Sequence, residues 1–114
     1  MDRLYSIKAL NKCVRHVRQH VTSYPVFIDL VNLNEVVDAY LTGQASLKEI
    51  RKVKRSLHAT RKGVTRNDKS WKFNVAMVNS ALDLARLCIG DTSPPILDVL
   101  RNIRSAYKIY NKGR

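Results

Sequence analysis

The chain reads as all-α, a compact bundle of about five helices forming a single domain over residues 1–110, with 111–114 as a frayed basic tail. Three observations predict this. Apolar residues recur at three- and four-residue steps through most of the sequence, which gathers them on helical stripes. Gly43, Gly63 and Gly90 stand where those stripes stop, and Ser46 and Ser93 stand where they start. A length of 114 residues suits one domain with a real core.

The first segment, about Asp2 to Thr22, places Leu4, Ile7, Leu10, Val14, Val17 and Val21 on one stripe, with Lys8, Lys12, Arg15 and Arg18 opposite. Tyr24-Pro25 then interrupts it, because proline restricts the residue before it and cannot continue a helix. Val26 to Leu41 is apolar and acidic and contains no Lys or Arg. Its Leu30, Leu33, Val36, Val37, Tyr40 and Leu41 favour a helix, either whole or in two pieces broken near Asn32 to Asn34. A strand at Val26-Phe27-Ile28 stays open. Gly43 offers the left-handed residue that often ends a helix.

Ser46-Leu47-Lys48-Glu49 has the form of a capping box, in which Ser46 and Glu49 satisfy each other's free backbone donors. The helix it opens buries Leu47, Ile50, Val53 and Leu57 and stops near Gly63. After the polar stretch Val64 to Ser70, a helix of about Lys69 to Ile89 carries Trp71, Val75, Val78, Leu82, Ala85 and Ile89 on one face. Met77, Leu84 and Cys88 form a second apolar side, which predicts the central, most buried helix. Gly90 stops it. Ser93-Pro94 opens the last helix, with Ser as N-cap and Pro at the first helical position. Ile96, Leu100, Ile103, Tyr107 and Tyr110 are its inward face.

Charge is the unusual quantity. The sequence has 21 Lys and Arg against 9 Asp and Glu, a net +12 at pH 7. Self-repulsion on that scale destabilises the free protein, so an anionic partner that relieves it is expected. Between Lys48 and Lys72 stand ten basic residues against Glu49 and Asp68. Lys48, Arg51, Lys52 and Arg55 fall opposite the Leu47–Leu57 seam. Lys54, His58, Arg61 and Lys62 widen that surface, and Arg66, Lys69 and Lys72 carry it past the loop to the lone Trp71. On the last helix Arg101, Arg104, Lys108 and Lys112 line the side away from Ile103 and Tyr107. One account is ordinary solvation of helix faces by good helix formers. Solvated faces normally mix signs, however, and a single-sign stripe is what phosphate binding requires. Trp71 is either a stacking platform for a base or simply core. No helix carries Asn, Gln and Arg placed to read base edges, so sequence-specific readout is not expected.

The chemistry of the remaining residues is sparse. Cys13 and Cys88 lie inside apolar-periodic segments, as in a reduced intracellular protein; one long-range disulfide is the alternative. Cys13, His16 and His20 share one side of the first helix, but a closed metal site needs a fourth ligand, and no metal or other cofactor is expected. No nucleophile elbow, glycine-rich phosphate loop or paired-carboxylate arrangement is present. No apolar run approaches the ~20 residues of a membrane span, so the expectation is a cytoplasmic protein of a bacterial or phage-infected cell without a membrane partner.

Two resemblances add to this. Arg15-His16-Val17-Arg18-Gln19-His20 is similar to the motif of the HEPN family of helical ribonucleases. That similarity implies Arg15 as phosphate stabiliser and His20 as acid or base, without metal and at a dimer interface. Asn11-Lys12-Cys13-Val14, Val37-Asp38-Ala39-Tyr40-Leu41-Thr42-Gly43-Gln44-Ala45-Ser46 and the helix through His58-Ala59 resemble the bacterial all-helical immunity proteins over roughly the first sixty residues. That resemblance implies a helical fold and a protein that binds and silences a toxin. A phage inhibitor on the same scaffold fits equally well. The chain departs from the family in being rich in Lys and Arg.

The leading expectation is a non-enzymatic binding protein that engages nucleic acid, or a nucleic-acid-bound machine, through Lys48, Arg51, Lys52, Arg55, Arg61, Lys62, Arg66, Lys69 and Lys72, with Arg101, Arg104 and Lys108 as a second set. The alternatives are an inhibitor docked on an acidic protein surface and a HEPN-like ribonuclease. A homodimer is left open.

Overall fold

The computed structural model describes residues 3–66, 70–90 and 96–112, with side chains on the last helix from 97 to 108. Five α-helices form the bundle: α1 Arg3–Val17, α2 Tyr24–Leu41, α3 Leu47–Gly63, α4 Trp71–Ile89 and α5 Ile96–Lys112. Among the described residues there is no strand. No described helix is long and apolar enough to cross a membrane. Helix α4 is central. It packs on α1, α2, α3 and α5, while α3 also leans on α2 and α5 on α1.

The apolar stripes meet as the spacing predicts. Ile7, Leu10 and Val14 of α1, Leu30, Leu33 and Val37 of α2, Ile50 and Leu57 of α3 and Ile103 of α5 are all buried against α4. Each such side chain contributes roughly 1.5–3 kcal/mol on burial. Leu4 leaves the stripe and is 47% exposed at the start of α1. On α4 both apolar sides are buried, Val78, Leu82 and Ala85 on one and Met77, Leu84 and Cys88 on the other, with Phe73 and Ala81, whereas Trp71, Val75 and Ile89 are half-buried at the edges. Contact with four neighbours covers most of this helix's circumference, so no single stripe marks its inside.

Several boundaries differ from the sequence reading. The first helix ends at Val17 and tightens into a 3₁₀ turn over Arg18–His20, after which Val21 is extended. Arg18 is held there by its bond to Asn34 Oδ1 at 2.8 Å. Pro25 falls in the first turn of α2, where its missing N–H costs nothing. Helix α2 then runs unbroken, with neither a strand at Val26 nor a break at Asn32 to Asn34. Asn34 is buried and spends its side chain on α1, so its polarity marks a contact between helices. Gly43 ends the segment with φ +76°, as a left-handed cap requires.

Ser46 occupies the N-cap of α3 in an extended conformation, but its hydroxyl makes no capping bond. The capping box is therefore not formed. The carbonyl of Ser46 accepts instead from the Glu49 N–H at 3.1 Å. Gly90 caps α4 with φ +85°, and Arg3 closes that end by donating to the carbonyls of Leu87 at 2.9 Å and Cys88 at 2.5 Å. The Ser93-Pro94 start of α5 and the 113–114 end of the tail lie outside the described residues, as do the side chains of Ile96, Tyr110, Asn111 and Lys112.

Candidate nucleic-acid interface

Four of the six described acids have a partner within the chain. Asp29, buried on α2, accepts from the hydroxyls of Ser56 at 2.9 Å and of Thr60, both on α3. Asp38 accepts from Asn11 Nδ2 at 2.9 Å and from the Arg15 guanidinium. Asp83 and Asp98 each face an arginine one turn on, Arg86 at 3.4 Å and Arg101 at 3.8 Å.

On α3, Lys48, Arg51, Lys52 and Arg55 are exposed on the side opposite Ile50 and Leu57. Further along, α3 and the start of α4 line an open pocket of about 320 Å³. His58, Arg61 and Lys62 of α3 line it with Arg66, Trp71 and the apolar Val64 and Val75. Among the described residues the lining holds no carboxylate. The Arg66 guanidinium lies over the Trp71 ring, 5.3 Å from its centre. Trp71 is thus neither free nor core: it is half-buried and lines the pocket. Lys72 is exposed beside it, and Lys69 lies outside the described residues.

The local potential is visible at His58. Partial desolvation, followed by the charges of Arg86, Lys54, Arg61 and Lys62, holds its imidazole below the usual histidine range. Arg86 is the contributor that sequence reading missed. It is a lone arginine in the apolar run of α4, and only the packing of α3 on α4 brings it towards His58.

The second basic set is separate. Arg101, Arg104 and Lys108 are exposed on α5. Arg104 opens onto a groove of about 590 Å³ between α1 and α5, shared with Lys12, Cys13, His16, His20 and Tyr107. His20 lies against the Tyr107 ring, 4.7 Å between centres. Arg15 opens instead onto the groove between α1 and α2, where it meets Asp38. The Arg15 and His20 of the ribonuclease-like motif therefore face different grooves. Cys13, His16 and His20 do share one, yet no group of three or more His, Cys, Asp or Glu among the described residues converges closely enough to hold a metal ion. Both thiols are free. Burial pushes Cys88 up to about 11 and raises Cys13, with Arg3 and Arg104 respectively pulling the other way.

The α3–α4 surface offers cations suited to phosphates and an aromatic side chain suited to a planar group. In comparisons with known proteins, no family model, no curated protein and no solved structure matches the chain.

Proposed function

We propose that this protein is a non-enzymatic nucleic-acid-binding module that engages phosphates through α3 and the start of α4. The observation that carries this reading is the pocket in which Arg61, Lys62, Arg66 and His58 surround Trp71 with no described carboxylate among them. Phosphate contacts need concentrated positive charge, and a Trp set among cations gives a base a face to stack on. Lys48, Arg51, Lys52 and Arg55 extend the same helix as a backbone track. Cytoplasmic location goes with this reading.

The test is binding of a labelled oligonucleotide across a salt series. Affinity should fall steeply with salt, by about 0.7–0.9 in the logarithmic slope for each phosphate neutralised. Reversal of Lys48, Arg51, Lys52 and Arg55 to Glu should abolish retention on heparin or DNA while leaving the circular dichroism intact. Unchanged retention by the folded variant would rule this surface out. Capture of one protein partner that survives nuclease treatment, with no oligonucleotide bound, would replace nucleic acid with an acidic protein surface.

A further inference from the structure

The pocket at Trp71 has a shape as well as a charge, and the shape narrows the ligand. Its lining includes Trp71 and the apolar Val64 and Val75, while Arg61, Lys62 and Arg66 supply positive charge. We infer that this pocket seats one unpaired nucleobase against Trp71, so that the protein prefers single-stranded RNA or DNA to duplex. The inference rests on the nucleic-acid reading above and adds a strand preference to it.

The argument is steric and chemical. In a duplex the faces of the bases are covered by their neighbours, and only edges are offered in the grooves. A ring set inside a concavity therefore meets a base only where the stack is already open, as in a single strand, loop or end. A pocket of about 320 Å³ has room for one planar base but no breadth for a double helix. Arg66 covers the indole at 5.3 Å, which is too close for a base to enter between them. The base displaces this guanidinium, since a base stack on an aromatic ring is worth more than an exposed cation–π contact. The freed guanidinium then stacks on the outer face of the base or pairs with its phosphate. His58, beside Arg61 and Lys62, faces the same phosphates.

Trp71 is the chain's one tryptophan, so its fluorescence reports on this pocket alone. The protein is titrated with a single strand of about 12 nucleotides, with the duplex of the same sequence, and with an abasic strand of the same length. The single strand should quench the fluorescence and bind about tenfold more tightly than the duplex; the abasic strand should bind without quenching. Trp71→Ala should weaken single-strand binding by about ten- to a hundredfold, followed by anisotropy, and erase the preference over duplex. Trp71→Phe keeps a ring and the packing, and should retain most of both. A single strand that binds without quenching, a Trp71→Ala protein with the preference unaltered, or a Trp71→Phe protein with the preference lost or reversed, would overturn the seat while leaving phosphate binding in place. Failure of all three strands and of heparin to bind would instead overturn the nucleic-acid reading itself, and the seat with it.

Discussion

Asn34 of α2 donates its side-chain amide to the Oδ1 of Asn11 on α1 at 2.6 Å and to the Asn11 backbone carbonyl at 3.0 Å. Asn34 Oδ1 in turn accepts from Arg18 at 2.8 Å, and Asn11 passes its own amide to Asp38 at 2.9 Å. Both asparagines are buried, and no described buried side-chain polar atom lacks a partner. A satisfied polar network in an apolar seam fixes how α1 lies along α2, because any slip strands several groups at once.

Replacement of Asn34 by Ala leaves Asn11 Oδ1 buried without its donor and takes the acceptor from Arg18. The expected loss is about 1–3 kcal/mol, the cost of a buried polar group left unsatisfied. Urea denaturation measures it. Asn32→Ala, an exposed change two residues away, should lie within about 0.5 kcal/mol of the parent. Equal effects would mean that the network contributes nothing beyond helix propensity.

The glycines at two helix ends should respond in opposite directions. At Gly90 the backbone sits at φ +85°, and an added Cβ would meet Arg3 Nη2 at 3.2 Å. Gly90→Ala should therefore destabilise by about 1–2 kcal/mol through left-handed strain, with disturbance of Arg3 added. Gly63, the last residue of α3, has open space around its Cβ position and no positive φ. Gly63→Ala should stabilise by about 0.4–1 kcal/mol by restricting the unfolded chain. Thermal melts of the two variants decide the point.

These contrasts show what the sequence could and could not carry. The seams of α1, α3 and α5 were legible because each helix packs one stripe and leaves a broad wet face. Helix α4 was legible as central from its two apolar sides, but the half-exposure of Trp71, Val75 and Ile89 was not, since a helix covered by four neighbours has no single inside. The asparagines of α2 looked like a break because tertiary hydrogen bonds leave no local signature. Ser46 and Glu49 had the right spacing for a box, but spacing does not oblige a hydroxyl to turn inward. At the site, the cations of α3 were plain in the sequence. The depth of Trp71 and the reach of Arg86 were not, because both depend on how α3 meets α4.

The two thiols should differ in reactivity. With its pKa near 11, Cys88 is roughly a thousandth thiolate at pH 8, and only the thiolate attacks. Cys13 is half-buried, and burial raises its pKa too, with Arg104 pulling the other way. A thiol-reactive disulfide reagent should modify Cys13 slowly and Cys88 only on unfolding, with both fast in denaturant. Because folding raises the Cys88 value, its contribution to stability is full below the ordinary thiol range and is lost as pH rises through about 11. Rapid labelling of Cys88 in the folded protein would contradict its burial.

For the ribonuclease reading, the expected result is that RNA survives. Arg15 is engaged by Asp38 in one groove and His20 rests on Tyr107 in another, so the two do not flank a common phosphate. Purified protein incubated with single-stranded RNA in chelator should leave it intact, and His20→Ala should behave alike. Metal-independent cleavage reduced at least ~100-fold by His20→Ala would make the pair catalytic and overturn the non-enzymatic reading.

His58 supplies a readout of anion binding that needs no label. In the free protein, desolvation and the charges of Lys54, Arg61 and Lys62 on α3 and Arg86 on α4 hold its pKa low; Arg86 stands 3.4 Å from the Asp83 carboxylate, which tempers but does not reverse this. A depressed pKa means that this histidine favours the folded state above the ordinary histidine range and that the contribution is lost as pH falls through the folded value. Phosphates placed among the same cations neutralise them, and His58 should then titrate higher. The bound state holds the extra proton, so affinity rises as pH drops through the window between the bound and free values. Titration of the His58 ring protons by NMR, assigned with His58→Gln, should show a low pKa alone and an upward shift with a short oligonucleotide. His58→Gln should flatten the pH dependence of binding while retaining its salt dependence. A downward shift, or none with the oligonucleotide bound, would put the phosphates elsewhere on the protein.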